Sequence, residues 1–184
     1  MSVTLIVILA VAAALVLWGI KVQNQLVQSD ELCNNALKQI NVQQVSRYDA
    51  LKAIVNLTRE YASYESETLE KVIAQRKITA AANPTVDDIN ANEAALQAMS
   101  AKLIAIAEQY PDLKANQNYQ QAMADIKQYE ENVRLSRMTF NDTVTKYNNQ
   151  VRMFPGSVVA GILGFAKREY LADEPAKKDY PDIF

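Results

Sequence analysis

Histidine is absent from this chain, and cysteine occurs once, as Cys33. Without imidazole there is no His-based triad and little means of building a zinc site. A single thiol excludes an intramolecular disulfide. Glycine (4) and proline (5) are scarce as well. No phosphate-binding glycine loop, nucleophile elbow or HExxH motif is present, and helices have few places at which they must stop. A strong charge of either sign is also missing. The formal net charge is −2, which supplies no strong pull toward nucleic acid or anionic lipid. These absences lead to the expectation of a protein that is not an enzyme. It should have no catalytic, cofactor-binding or metal-binding residues, need no cofactor and bind no nucleic acid. A Ser–Lys pair is a catalytic arrangement that the composition leaves open.

What is present begins with a run of apolar residues from 3 to 20, VTLIVILAVAAALVLWGI, without a charge. At roughly 1.5 Å per residue such a helix is on the order of 27 Å long, close to the hydrocarbon thickness of a bilayer. A cleaved signal peptide is the alternative. Against it, no Lys or Arg precedes the run and no A-x-A-like site follows it. Trp18 at the interface and Lys21 at the end suit a retained anchor. Lys21, Lys38 and Arg47 follow the span, so the positive-inside tendency places the C-terminal domain in the cytoplasm. Cys33 lacks the small preceding residues of a lipidation site and reads as a small buried residue.

No proline interrupts the chain between the anchor and Pro84, so anchor and first soluble helix read as one rod of about 80 residues, on the order of 120 Å. Val22, Leu26, Ser29, Cys33, Ala36 and Ile40 follow steps of four and three, the seam of a helix that meets partner helices. The pattern continues less cleanly through Gln44, Arg47, Leu51, Ile54, Thr58, Tyr61 and Glu65. The polar members Gln44, Arg47 and Glu65 are expected at the edge of the seam, a buried network being the alternative.

Asn83-Pro84-Thr85 ends the first helix, with Thr85 available as the next N-cap and acids in the following turn. A second helix should reach about residue 109, with Ile89, Leu96, Met99, Leu103 and Ile106 on its apolar face. After Tyr110-Pro111-Asp112, Asn116 can cap a third helix carrying Tyr119, Met123, Ile126, Val133, Phe140, Val144 and Tyr147. Phe154-Pro155-Gly156 closes it, and a fourth helix is expected over residues 157–170. The tail beyond has two prolines and mixed charges, and is expected to be flexible. The domain division is thus an anchor over 1–20, a helical bundle over 21–170 and a flexible tail over 171–184.

The string Tyr110-Pro111-Asp112-Leu113-Lys114-Ala115-Asn116 resembles the YPDLKAN signature of the LemA family. The third helix agrees in Glu130-Glu131-Asn132-Val133, Phe140-Asn141-Asp142, Val144, Tyr147-Asn148 and Phe154-Pro155, and Gly164-Phe165 is similar to the family's late GF. Upstream, Asn35-Ala36, Gln39-Ile40, Arg47, Leu51 and Tyr61-Ala62 fit its first helix. Lys52-Ala53 departs from the Pro-Asn common in relatives, so no kink is expected there. The resemblance covers about residues 20–170. It implies an all-α fold, in which an N-terminal transmembrane helix continues into a long-helix antiparallel bundle of about four helices. It further implies a membrane-anchored bacterial protein, of a family not known as enzymes. Asn116 reads as an N-cap, and Asn141, Asp142 and Asn148 as interhelical hydrogen-bond formers, a binding role being the alternative.

Two classes of function remain. One is a membrane-anchored, non-catalytic scaffold or adaptor of the bacterial cytoplasmic membrane that binds itself and an unknown protein partner. The other is a membrane-shaping or lipid-binding protein that uses the fourth helix at the interface. Length favours self-association. A first soluble helix over residues 21–82 would extend on the order of 93 Å, and the second would return on the order of 37 Å. With the third heading outward again, residues 22–40 would have no partner in their own chain. The seam Val22, Leu26, Ser29, Cys33, Ala36 and Ile40 would then be covered by neighbouring copies, a kinked first helix being the alternative.

Overall fold

The computed structural model describes residues 2–61 and 82–172. Among them there is helix and no strand. Helix α1, Val3–Tyr61, runs for 59 residues, about 88 Å, and passes Lys52 and Ala53 without a break. Its apolar N-terminal part is exposed to residue 18 and is long and apolar enough to cross a membrane. The expected continuation of this helix through residues 62–81, including Glu65, lies outside the described residues.

Helix α2, Val86–Ala107, starts on a complete capping box. The Thr85 hydroxyl accepts from the Asp88 amide at 3.1 Å, and the Asp88 carboxylate accepts from the Thr85 amide at 2.9 Å. Two N–H groups that a helix start leaves unpaired are thereby satisfied. The short α3, Pro111–Ala115, turns the chain at Leu113, which is fully buried. Helix α4, Gln117–Arg152, is capped by Asn116, whose Oδ1 accepts from the amides of Asn118 and Tyr119. Its Nδ2 also donates to the Tyr61 hydroxyl at 2.8 Å. Tyr110 to Asn116 is therefore a packed and capped junction, as the turn chemistry anticipates. Helix α5 is Gly156–Leu163.

Side-chain bonds give the directions. Gln44 meets Ile89 and Arg47 meets Glu93, so α2 runs the same way as α1. Arg47 also meets Glu130, and Tyr61 meets Asn116, so α4 is antiparallel to α1. This corrects the expected order of travel: α2 leads away from the apolar N-terminal run and α4 leads back toward it. The seam that follows the apolar run consequently has partners within the chain. Leu26, Cys33 and Ile40 are buried, and Val22, Ser29 and Ala36 are half-buried. Cys33, Leu37 and Ile40 pack with Val133, Phe140, Val144, Tyr147 and Leu171. A second cluster further out joins Leu51, Ile54 and Val55 to Leu96, Leu103, Leu113 and Ile126. The premise that residues 22–40 need a neighbouring copy is overturned, because α4 returns along them. No kink is needed either.

The last helix is also shorter than its composition suggests. It ends at Leu163, and Gly164 at φ 77° turns the chain out of the helix. Glycine holds this left-handed conformation without the Cβ clash other residues meet. Residues 165–172 are non-helical and lie along α1 and α4. Leu171 is buried and Ala172 is hydrogen-bonded, so the ordered fold extends past residue 170. The tail expectation for residues 173–184 falls outside the described residues.

Candidate functional site

Two polar assemblies stand out against the apolar interior. The first is centred on Arg47, which is only 2% exposed. Its Nη1 donates to Glu93 Oε1 at 2.7 Å and its Nη2 donates to Glu130 Oε1. Gln44, fully buried, donates from Nε2 to the Ile89 carbonyl at 3.0 Å and to Glu93 Oε2 at 3.2 Å. Three helices are thus tied through one guanidinium. Gln44 and Arg47 form a buried network and do not lie at the seam's edge. Desolvating a guanidinium is tolerated only with such partners, and Glu93 and Glu130 supply them from α2 and α4. Glu93 escaped the sequence reading. The available signal was its spacing between Ile89 and Leu96 on the face that packs inward.

The second assembly holds the extended segment against the bundle. Asn148 on α4 donates from Nδ2 to the Arg168 carbonyl at 3.0 Å and accepts from the Arg168 amide at 2.9 Å. Asn141 repeats the arrangement two turns earlier, with the Leu171 carbonyl at 3.2 Å and the Leu171 amide at 3.0 Å. Each carboxamide uses one donor and one acceptor here, the complement that a neighbouring β-strand would present. Arg137 adds a bond to the Ala172 carbonyl at 2.6 Å, and the Tyr147 hydroxyl donates to the Ala166 carbonyl at 3.0 Å. The interhelical role expected of Asn141 and Asn148 is corrected accordingly: they bind backbone of a non-helical segment.

Side chains complete this attachment. The Arg168 guanidinium donates from Nε to Asp30 at 2.6 Å and from Nη2 to Asn34 at 2.8 Å, joining the segment to α1. The hydrogen bond to Asp30 outweighs desolvation and raises the Arg168 pKa. Burial pushes the Cys33 thiol up, partly offset by nearby Arg168 and reinforced by Asp30. Cys33 therefore behaves as a small apolar side chain. Tyr147 is likewise raised, first by burial and then by Asp30. Asp30 and Arg168 carry no periodicity that would have announced them.

Of the six seam residues, Leu26, Cys33 and Ile40 are brought into the interior, while Val22, Ser29 and Ala36 flank them. The opposite face of α1 has a shallow open depression bordered by Asn24, Val27, Gln28, Glu31, Leu32 and Asn35, all from one helix. Among the described residues no group of three His, Cys, Asp or Glu side chains is placed to hold a metal ion. The arrangement is suited to gripping an extended peptide by its backbone.

Over 140 residues the chain is 28% identical to protein LemA of Metamycoplasma hominis, an alignment covering 75% of this chain and 63% of that one. It is 32% identical over 75 residues to the magnetosome protein MamQ of Magnetospirillum gryphiswaldense. It is 29% identical over 75 residues to magnetosome protein MamQ 1 of Paramagnetospirillum magneticum. Each of these alignments covers 41% of this chain and only 28% of the MamQ relative. The LemA family model matches residues 36–184, a range that holds Arg47, Glu93, Asn141 and Asn148 together, and the chain belongs to the LemA family.

Proposed function

We propose that this chain is a non-catalytic helical adaptor, anchored by residues 3–20 in the bacterial cytoplasmic membrane with its bundle in the cytoplasm. It acts through protein contacts, both with neighbouring copies and with other proteins. The observation that carries this reading is the paired grip of Asn141 and Asn148 on the backbone of residues 168 and 171. A groove that reads backbone accepts an extended segment with modest regard for its sequence, in the manner of strand addition. The occupant here is the chain's own segment, attached through Gly164. The same segment from a neighbouring copy fits by identity, and exchange of an element across a hinge is a low-cost route to self-association. Confinement of several copies to one membrane raises the local concentration that such exchange needs. Lys21, Lys38 and Arg47, following the apolar run, support the cytoplasmic orientation.

The test uses two tagged full-length copies expressed together, both carrying Cys33→Ser. One carries Asp30→Cys and the other Arg168→Cys, and a short bis-maleimide is added to intact membranes. Exchange gives a product bearing both tags. If the two substitutions placed in one chain link efficiently while the two-copy experiment yields no joint product, the segment stays with its own bundle and self-association by this route is refuted.

A further inference from the structure

The antiparallel register of α1 and α4 determines what lies beside the anchor. Arg47 is level with Glu130 and Tyr61 with Asn116, so the last turn of α4, ending at Arg152, is level with about Gln25. From there to Ile20, where the apolar run ends, is only about 7 Å along the axis. The chain then continues through Met153 and Phe154 into α5, whose sequence GSVVAGIL has no charged residue. Ala160 is the one residue of this helix that is buried. Met153 is 64% exposed, Phe154 84%, Val158 51% and Ile162 77%. In the bundle the large apolar side chains are mostly covered, whereas here they are turned outward together. Exposed cations lie at the same end, Lys21 on α1, Arg152 at the end of α4 and Lys167 just beyond α5. The exposed acids Glu31 and Glu169 lie one to two turns further along α1 from the apolar run.

We propose that α5 with the preceding Met153 and Phe154 is an interfacial element that inserts into the headgroup–acyl boundary of the membrane crossed by α1. The inference rests on the membrane-anchored reading. A cluster of exposed apolar residues marks an interaction surface, and its place about one and a half turns of helix above the span selects lipid as the occupant. A short apolar segment seated in the interface, with Lys and Arg able to reach headgroup phosphates, is the usual chemistry of such contacts. Gly156 keeps α5 in place, because a Cβ there would stand 2.6 Å from the Gln150 carbonyl oxygen of α4. The bundle thereby has two attachments to the bilayer, which restrains its tilt and presents the groove between α1 and α4 at a constant height.

Trp18 is the sole tryptophan, and this makes the test direct. The full-length protein is placed in vesicles of phosphatidylcholine and phosphatidylglycerol with or without dibrominated acyl chains. Quenching of Trp18 in the wild-type chain reports the span. In a Trp18→Phe background, Phe154→Trp and Ile162→Trp report the patch, and Met138→Trp, exposed on α4 well above it, reports the water side. The expected result is quenching of both patch reporters at least half as strong as that of Trp18, with none at Met138→Trp. Patch reporters no more quenched than Met138→Trp, beside a quenched Trp18, overturn the interfacial role and leave the anchor standing. If iodide in solution also fails to reach those two reporters, a second protein surface covers the patch. An unquenched Trp18 overturns the anchor and this inference together.

Discussion

Replacing Arg47 by methionine tests whether the network around it holds the helices together. Methionine keeps much of the length and removes the charge, leaving the Glu93 carboxylate, whose side chain is 9% exposed, without its cation. Breaking a buried ion pair from one side costs about 3–5 kcal/mol, since the remaining charge is stranded. Gln44 still donates to Glu93, so the low end, about 3 kcal/mol, is expected here. The other arm behaves differently. Glu130 is 41% exposed, and solvent screening limits Glu130→Gln to about 1 kcal/mol or less. Removing both partners, in Arg47→Met with Glu93→Leu, strands no charge in the buried pair and should recover most of the lost stability. Urea unfolding of the full-length proteins in detergent, followed by circular dichroism, ranks the three. The reasoning is refuted if Glu130→Gln costs as much as Arg47→Met, or if the double variant is no more stable than the single one.

Other outcomes can be checked with the same preparations. Asn148→Ala strips the Arg168 amide and carbonyl of their partners and should cost about 2 kcal/mol, while protease cutting within residues 165–172 becomes faster. Gly164→Ala forces a Cβ into a left-handed turn and should cost about 1 kcal/mol, read by the same unfolding curves. Cys33, buried and with its thiol pKa raised, should react with a disulfide reagent at pH 8 far more slowly in the folded protein than in denaturant. Oxidation of native membranes should give no Cys33-linked dimer. The Thr85 bonds hold the Asp88 carboxyl below its ordinary value. A depressed acid contributes stability above its unfolded pKa and loses it as pH falls through the folded one. The stability difference between wild type and Asp88→Asn should therefore be present at neutral pH and vanish at pH values below the usual carboxylate range.

Much of the fold was legible in the sequence because its signals are local. The apolar run of 3–20, the four–three spacing of Leu26, Cys33 and Ile40, and the caps Thr85 and Asn116 each act within one or two turns of chain. The junction at 110–116 is of the same kind. Directions were different. Whether α2 runs with α1 or against it depends on bonds such as Gln44 to Ile89, between residues 45 positions apart, and nothing in either stretch states that pairing. An α2 running against α1 would leave the seam bare, whereas in the molecule α4 covers it.

The candidate site shows the same division more sharply. Residues 165–170, FAKREY, contain several good helix formers, and by propensity alone α5 would continue through them. Tertiary contacts decide otherwise, since Asn148 and Asn141 bind the backbone of Arg168 and Leu171 while Leu171 and Phe165 join the apolar cluster. Gly164 supplies the turn that makes this possible. In Arg47 the sequence presented a charge on an apolar face, an ambiguity that only the arrival of Glu93 and Glu130 from other helices resolves. Composition and periodicity determined the helices and the apolar run long enough to cross a membrane by themselves, because those follow from short-range hydrogen bonding and from transfer of apolar surface out of water. The groove, its extended occupant and the buried ionic tie were decided by the tertiary structure, because a buried polar group is stable only where distant parts of the chain bring it a partner.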